Sequence, residues 1–276
     1  DFNRVKQAFS EFLHRLPFYG LAVLCIEDEE VRALADEMPR HCITYGFGAD
    51  ADVRASAIEQ SAGRMHFTLH LPDGNSQDVV LNLPGRHNVL NALAAAAVAW
   101  QLGVSRADIA AALQKFEGIG RRFNIKGELA LPHGSALLVD DYGHHPTELA
   151  AVFEAARGGW PDKRLVVAFQ PHRYSRTRDL FDEFSAVLST ADVVVLTDVY
   201  AAGELPVQGA DSKALARSIR ARGRLDPVLV GAARELRDVL GDVLHDGDLL
   251  LMMGAGDIGA VSGQLAAHGL NLEPKA

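Results

Sequence analysis

The spacing of apolar residues along this chain changes twice. Over the first sixteen residues, Val5, Phe9, Phe12, Leu13 and Leu16 recur at helical intervals and predict an amphipathic helix. Short runs follow: LAVLCIE as a strand, EEVRALADEM as a helix, HCITYGF as a strand, then VRASAIEQ, RMHFTLHLP and QDVVLNLP. Turn signals at Ser61-Ala62-Gly63 and Pro72-Asp73-Gly74-Asn75 separate the last three, and the last two are expected to pair as an antiparallel hairpin. The pattern then becomes helical. NVLNALAAAAVAWQLG runs to a helix stop at Gly103, and SRADIAAALQKF follows with Ser105 as cap and Asp108 three residues on. EGIGRRF reads as a linker.

From about Phe123 the pattern alternates. After an entry strand near Asn124–Leu131, the apolar runs ALLVDDY, RLVVAFQ, DVVVLTDV, DPVLVG and DLLLMMG read as buried strands. TELAAVFEAA, RDLFDEFSAVLS, SKALARSIRA, ARELRDVLGDVL and a last segment near Ile258–His268 read as the helices between and after them. Alternation of this kind predicts an α/β fold with a doubly wound, mostly parallel sheet. Ligands in such sheets sit beyond the carboxyl ends of the strands, so the residues following each apolar run are the candidates for chemistry. The tail LNLEPKA is expected to fray.

Composition narrows the class. With 276 residues, 48% of them hydrophobic, the chain has room for two cores. A net charge of −9 argues against general attraction to nucleic acid. No apolar run reaches the length of a membrane span. Two cysteines, Cys25 and Cys42, make no disulfide framework and no metal motif, and a reducing cytoplasm fits them; Cys25 is expected to be buried. The chain opens inside a helical pattern without methionine, so it is expected to begin within a larger protein.

Four strand ends carry candidate chemistry. After ALLVDDY come Asp140, Asp141, Tyr142, Gly143, His144 and His145; these bind hydroxyls, hold a metal or move protons, or else Asp140 is a structural acid and His145 a helix cap. After RLVVAFQ come His172, Arg173 and Arg176, a pair of guanidinium groups suited to a carboxylate or phosphate. After DVVVLTDV, Tyr200 and Glu204 lie in a loop with no decided role. After DLLLMM, GAGDIG matches GxGxxG, yet too few residues follow for a dinucleotide unit, and close backbone approach is the expected reason for the glycines. Asn88 and Asn91 share a helix face and either read an adenine edge or cap the helix. Arg121 and Arg122 stand in the linker, facing either a phosphate or a salt-bridge partner. None of the six lysines follows a glycine, so these residues contain no P-loop.

Taken in order, LPGRHNVLNALAA, GIGRRF, DDYGHHPTE, FQPHRYSRT, DVYAAGE and GAGDIG resemble the Mur family of ATP-dependent amino-acid ligases of the bacterial cell wall. PHRYSRT and DDYGHHPTE look like its alanine-adding branch rather than the sibling that recycles murein tripeptides. The resemblance implies that residues 1–122 are the later part of a central ATPase domain and 123–276 a carboxyl-terminal Rossmann-like domain. It implies ATP and Mg2+ as cofactors, the metal ligands belonging to an upstream region, with UDP-N-acetylmuramate and L-alanine as substrates. Carried over by position, Asn88 and Asn91 face adenine, Asp141 the ribose and Arg122 the γ-phosphate. Tyr142, His144, His172, Arg173 and Arg176 line the substrate site, with Arg122 and His144 catalytic. Without a P-loop the chain alone is expected to be inactive; a non-catalytic binding module is the alternative.

Overall fold

A computed structural model describes residues 2–38 and 41–270. The tail expected to fray lies outside the described residues from position 271 onward. The chain divides into two compact units, Asp1–Glu117 and Gly118–Ala276.

The first unit contains α1 (Phe2–His14), β1 (Ala22–Cys25), α2 (Glu29–Glu37), β2 (Cys42–Gly46), β3 (Val53–Ser61), β4 (Arg64–His70), β5 (Ser76–Leu81), α3 (Arg86–Gln101) and α4 (Arg106–Lys115). Its sheet runs in sequence order, β1 to β5. β1, β2 and β3 pair in parallel, and β3, β4 and β5 are antiparallel. A bulge between Ser56 and Glu59 places Ala57 at φ 49°. In α3, Val89, Ala92, Leu93, Ala96 and Ala97 are buried, a 3–4 spacing whose small side chains let the helix lie close to the sheet. Gly103, at φ 81°, ends this helix, and its amide donates to the Trp100 carbonyl. Ser105 caps α4 by accepting the Asp108 amide.

One expectation needs correction here, and one is met with an exposed face. Cys25 is half-buried, because strand alternation sends Ala22, Leu24 and Ile26 inward and leaves Cys25 on the other face beside Tyr45. Burial, followed by the effect of Cys25, pushes the Tyr45 hydroxyl up to about 12. The amphipathic stripe of α1 does form a helix, but Phe2, Val5, Phe9 and Phe12 are exposed.

The second unit contains β6 (Asn124–Leu131), β7 (Gly134–Asp141), α5 (Pro146–Gly159), β8 (Leu165–Phe169), α6 (Tyr174–Asp179), α7 (Phe181–Leu188), β9 (Val193–Leu196), α8 (Ser212–Ala221) and β10 (Val228–Leu229). A 3-10 turn (Ala233–Glu235), α9 (Leu236–Val243), β11 (Leu249–Met253) and α10 (Ile258–His268) complete it. The sheet order is β10-β9-β8-β11-β7-β6, parallel throughout except that β6 runs antiparallel to β7. Successive residues feed opposite cores. Val167, Phe169, Leu251 and Met253 join one cluster with α5, α7 and α8. Val166, Ala168, Leu250 and Met252 join the other with α9 and α10. Burial on both faces is why these strands read as unbroken apolar runs. β11 fills the place between β7 and β8, so the turns after these three strands meet at one edge of the sheet.

The single helix expected over residues 178–189 is two. α6 begins at Tyr174, and the chain breaks at Leu180 (φ −119°, ψ 29°) before α7.

Candidate functional site

The two aspartates that end β7 have different roles. Asp140 is buried at 3.6 Å from the Arg121 Nε. Asp141 is 4% exposed; its Oδ2 accepts the Phe123 amide and its Oδ1 the Gly143 amide, both at 2.7 Å. Burial pushes both carboxyls upward, against the pull of Arg121 on Asp140 and of the two amides on Asp141. Asp141 therefore ties the start of β6 to the turn after β7, and a ribose hydroxyl would have to share its oxygens with those amides. His145 is the cap of α5: its Nδ1 accepts the Thr147 amide, and Glu148 accepts the His144 and His145 amides at 2.8 and 3.1 Å.

Four rings extend from this turn across the edge of the sheet. Tyr142 meets His144 edge-on at 5.2 Å, His144 meets His172 edge-on at 5.7 Å, and His172 stacks on Tyr200 at 5.5 Å and 11°. The His144 Nδ1 donates to the Tyr142 carbonyl at 3.0 Å and lies 3.5 Å from the Glu148 carboxylate; in the neutral ring the acceptor is then Nε2. Arg176 Nη1 donates to the His172 Nδ1 at 3.4 Å. Burial, followed by the neighbouring His144, Arg176 and Arg173, holds the His172 imidazole below its ordinary value. Arg173 is exposed and sits at φ 71°, held there by its amide bond to the Tyr200 carbonyl.

The start of α6 is already occupied. Glu204 accepts the Ser175 amide at 2.9 Å and its hydroxyl at 2.6 Å, and these bonds hold the Glu204 carboxyl below the usual range. The two arginines, rather than the helix end, are the groups open to an anion.

The linker arginines diverge. Arg121, at φ 63°, donates to the Gly254 carbonyl and lies over the Tyr142 ring at 4.9 Å. Phe123, at φ 40°, is buried and stacks on Trp160 at 5.6 Å. Arg122, between these two anchors, is exposed. The glycines of GAGDIG serve close approach. A Cβ at Gly254 would meet the Gln170 carbonyl at 2.7 Å, one at Gly256 the Tyr200 ring at 2.7 Å, and one at Gly259 the Arg121 guanidinium. Gln170, buried, secures the loop by donating to Asp257 at 2.6 Å and accepting the Ile258 amide at 3.1 Å.

In the first unit, the Asn88 Nδ2 donates to the Pro84 carbonyl at 2.8 Å, and its Oδ1 accepts from Asn91 at 3.3 Å. Asn88 is buried and Asn91 exposed, so Asn91 is the amide available to a nucleobase and Asn88 holds it. Among the described residues no group of three or more His, Cys, Asp or Glu side chains is placed to hold a metal ion.

The second unit thus brings together Asp141, Tyr142, His144, His172, Arg173 and Arg176, with Arg122 on the same unit; Asn88 and Asn91 lie on the other. Sequence reasoning undervalued Arg121, Gln170, Tyr200 and Glu204. Gln170 ends an apolar run directly before the chosen loop, and that position was its available signal.

Two family descriptions match this chain: the Mur ligase middle domain over residues 1–99 and the Mur ligase, glutamate ligase domain over residues 121–256. The chain belongs to the Mur ligases. A UDP-N-acetylmuramate–L-alanine ligase of Stenotrophomonas maltophilia (strain K279a) is 66% identical over 277 residues, covering 100% of this chain and 58% of the relative. The one from Xanthomonas campestris pv. campestris (strain B100) is 66% identical over 270 residues, covering 98% and 57%. The chain therefore spans somewhat over half the length of the curated relatives it matches. Among solved structures, the UDP-N-acetylmuramate-alanine ligase MurC of Thermotoga maritima superposes with a TM-score of 0.74 at 28% identity, covering 97% of this chain and 55% of that one. A Thermotoga maritima MurF ligase in complex with ADP shares the fold, with a TM-score of 0.65 at 17% identity and coverage of 92% and 54%. Among the described residues no helix is long and apolar enough to cross a membrane.

Proposed function

We infer that this chain supplies the later part of the ATPase domain (1–122) and the carboxyl-terminal domain (123–276) of a cytoplasmic ligase in peptidoglycan synthesis. The reaction joins L-alanine to UDP-N-acetylmuramate at the expense of ATP. The observation that carries the reading is the meeting of His144, His172, Arg173 and Arg176 at one sheet edge in a chain 66% identical to ligases of that name.

In the first step a carboxylate oxygen of the muramyl group attacks the γ-phosphorus of ATP, giving an acyl phosphate and ADP. In the second the alanine nitrogen attacks the acyl carbon, the C–N bond forms, and phosphate leaves. The barrier is largely electrostatic, because a carboxylate must approach a polyphosphate. Arg122 is the exposed cation assigned to the γ-phosphate. Arg173 and Arg176 suit the alanine carboxylate, with Tyr142 and His172 beside them. The His144 Nε2 has a free lone pair and is the group assigned to take the amine proton. Asn91, held by Asn88, meets the adenine edge. Asp141 reaches the ribose only by sharing its amide-bound oxygens. Mg2+ would screen phosphate charge in such chemistry, and the described residues offer it no ligand cluster.

A hybrid in which this chain replaces the matching segment of the Stenotrophomonas maltophilia ligase tests the reading. With ATP, Mg2+, UDP-N-acetylmuramate and L-alanine it is expected to release phosphate and form the alanyl product, and Arg122→Ala in the hybrid to abolish both. The chain alone, without a P-loop, is expected to turn nothing over. A folded hybrid without alanine-dependent phosphate release would overturn the proposal, and preference for a tripeptide would replace it with the murein-recycling activity.

A further inference from the structure

We propose that Tyr200 is a positioning residue which, together with Arg176, fixes His172 as a neutral imidazole carrying its proton on Nε2. The inference rests on the reading of His172 as substrate-facing, but its geometry belongs to the chain without ligand.

The backbone comes first. Beyond the ends of β8 and β9, His172 and Tyr200 form an isolated parallel bridge. The Arg173 amide donates to the Tyr200 carbonyl and the Tyr200 amide to the Pro171 carbonyl, both at 2.8 Å. Two segments otherwise free to diverge are pinned side by side, which sets the rings 5.5 Å apart and nearly parallel. The Tyr200 ring also lies against Gly256, where a Cβ would stand 2.7 Å from Cγ. The phenol is thus confined by His172 and by the loop that Gln170 secures, and the imidazole cannot tilt without moving it.

The contact with Arg176 is the argument for where the proton resides. A guanidinium has donors and no acceptor, so the His172 Nδ1 that faces Arg176 must present a lone pair. A neutral ring then carries its hydrogen on Nε2. The charged and titratable groups around the ring favour neutrality. Arg173 and Arg176 come from its own segment and α6, and His144 from the turn after β7. Glu204, from the loop after β9, acts in the opposite direction but is already bonded to Ser175.

The consequence is a division of labour between two imidazoles 5.7 Å apart. His172 can donate Nε2–H to a carboxylate or carbonyl oxygen and cannot receive a proton from an amine. His144, with Nδ1 donating to the Tyr142 carbonyl, has the reverse polarity.

Nitrogen-15 spectra of the imidazoles in the 276-residue chain test this directly. Wild type is expected to show His172 as a single Nε2–H tautomer and His144 as the Nδ1–H tautomer. Tyr200→Phe is expected to preserve the His172 pattern. Tyr200→Leu and Tyr200→Ala are expected to give mixed His172 tautomers and an upward shift of its titration midpoint. A wild-type His172 protonated on Nδ1 or averaging between tautomers overturns the proposal. So does an unchanged pattern in whichever of the Leu and Ala variants keeps the native amide spectrum; if neither folds, the absence of ring-to-ring Overhauser contacts between Tyr200 and His172 in wild type overturns it. No ligand enters these spectra, so an inactive hybrid would sink the functional reading and leave this result standing.

Discussion

The guanidinium of Arg121 occupies the space that a side chain on Gly259 would need. From there it reaches the Gly254 carbonyl and the Tyr142 ring, and its Nε lies 3.6 Å from Asp140. Gly259→Ala should push the guanidinium out and cost about 1–3 kcal/mol, the usual range for overpacking. In an Arg121→Ala background the same substitution should cost almost nothing, since the methyl then enters vacated space. Urea unfolding of the four-member cycle checks this; additivity of the two changes would show that the residues do not compete for one place.

That relationship also marks where sequence reading stops. Arg121 and Arg122 are identical letters in adjacent positions, and only the left-handed backbone at Arg121 and Phe123 turns one inward and the other outward. The second unit's strands were legible because burial on both faces leaves continuous apolar runs such as Leu249–Met253. The start of α6 was legible only in part. Arg173 and Arg176 read as lying at a helix start, but the helix itself was expected from Arg178, because the turn into α6 is set by Arg173 bonding to Tyr200, a partner 27 positions away in the sequence. His144, His172, Arg173 and Arg176 were legible as candidates because strand ends are where such sheets bind ligands. The orientations that give each nitrogen its role come from tertiary contacts.

Asp141 should behave first as a structural tie. Its carboxylate has one oxygen for each of two buried amides, and an asparagine has one acceptor for both. Leaving one amide without a partner costs about 1–3 kcal/mol. Because burial has raised the Asp141 pKa, the ionised form carries a penalty that asparagine escapes, so the net loss should fall near the lower end, about 1 kcal/mol. The raised value also fixes the sign with pH. The carboxyl's contribution is fully present below the unfolded value and is lost as pH rises through the folded one. Asp141→Asn should remove that part of the acid-range slope in a chemical-denaturation series.

His172 gives the opposite slope. Its folded value is depressed, so between that value and the unfolded one near 6.5 the unfolded chain binds more protons. The stability it contributes is present above the unfolded value and is lost as pH falls toward the folded one. Going from about pH 7.5 to about pH 5.5, wild type should lose more stability than His172→Gln. The histidines remote from His172 cancel in that comparison. Equal losses in the two proteins would mean that the imidazole titrates normally.

Asn88 and Asn91 are expected to separate stability from nucleotide recognition. The buried Asn88 bonds the Pro84 carbonyl and carries Asn91, whereas Asn91 is exposed and makes one long bond at 3.3 Å. Asn88→Ala should therefore destabilise the chain by about 1–3 kcal/mol, through an orphaned buried carbonyl. Asn91→Ala should change stability by no more than about 0.5 kcal/mol, as expected for a surface site. In the active hybrid the order reverses in kind. Asn91→Ala should raise the KM for ATP several-fold with little change in stability, because an amide paired to adenine is worth about 1–3 kcal/mol of discrimination. A hybrid carrying Asn91→Ala with an unchanged KM for ATP would remove Asn91 from the nucleotide site and leave the Asn88 bond as the structural reason for the pair.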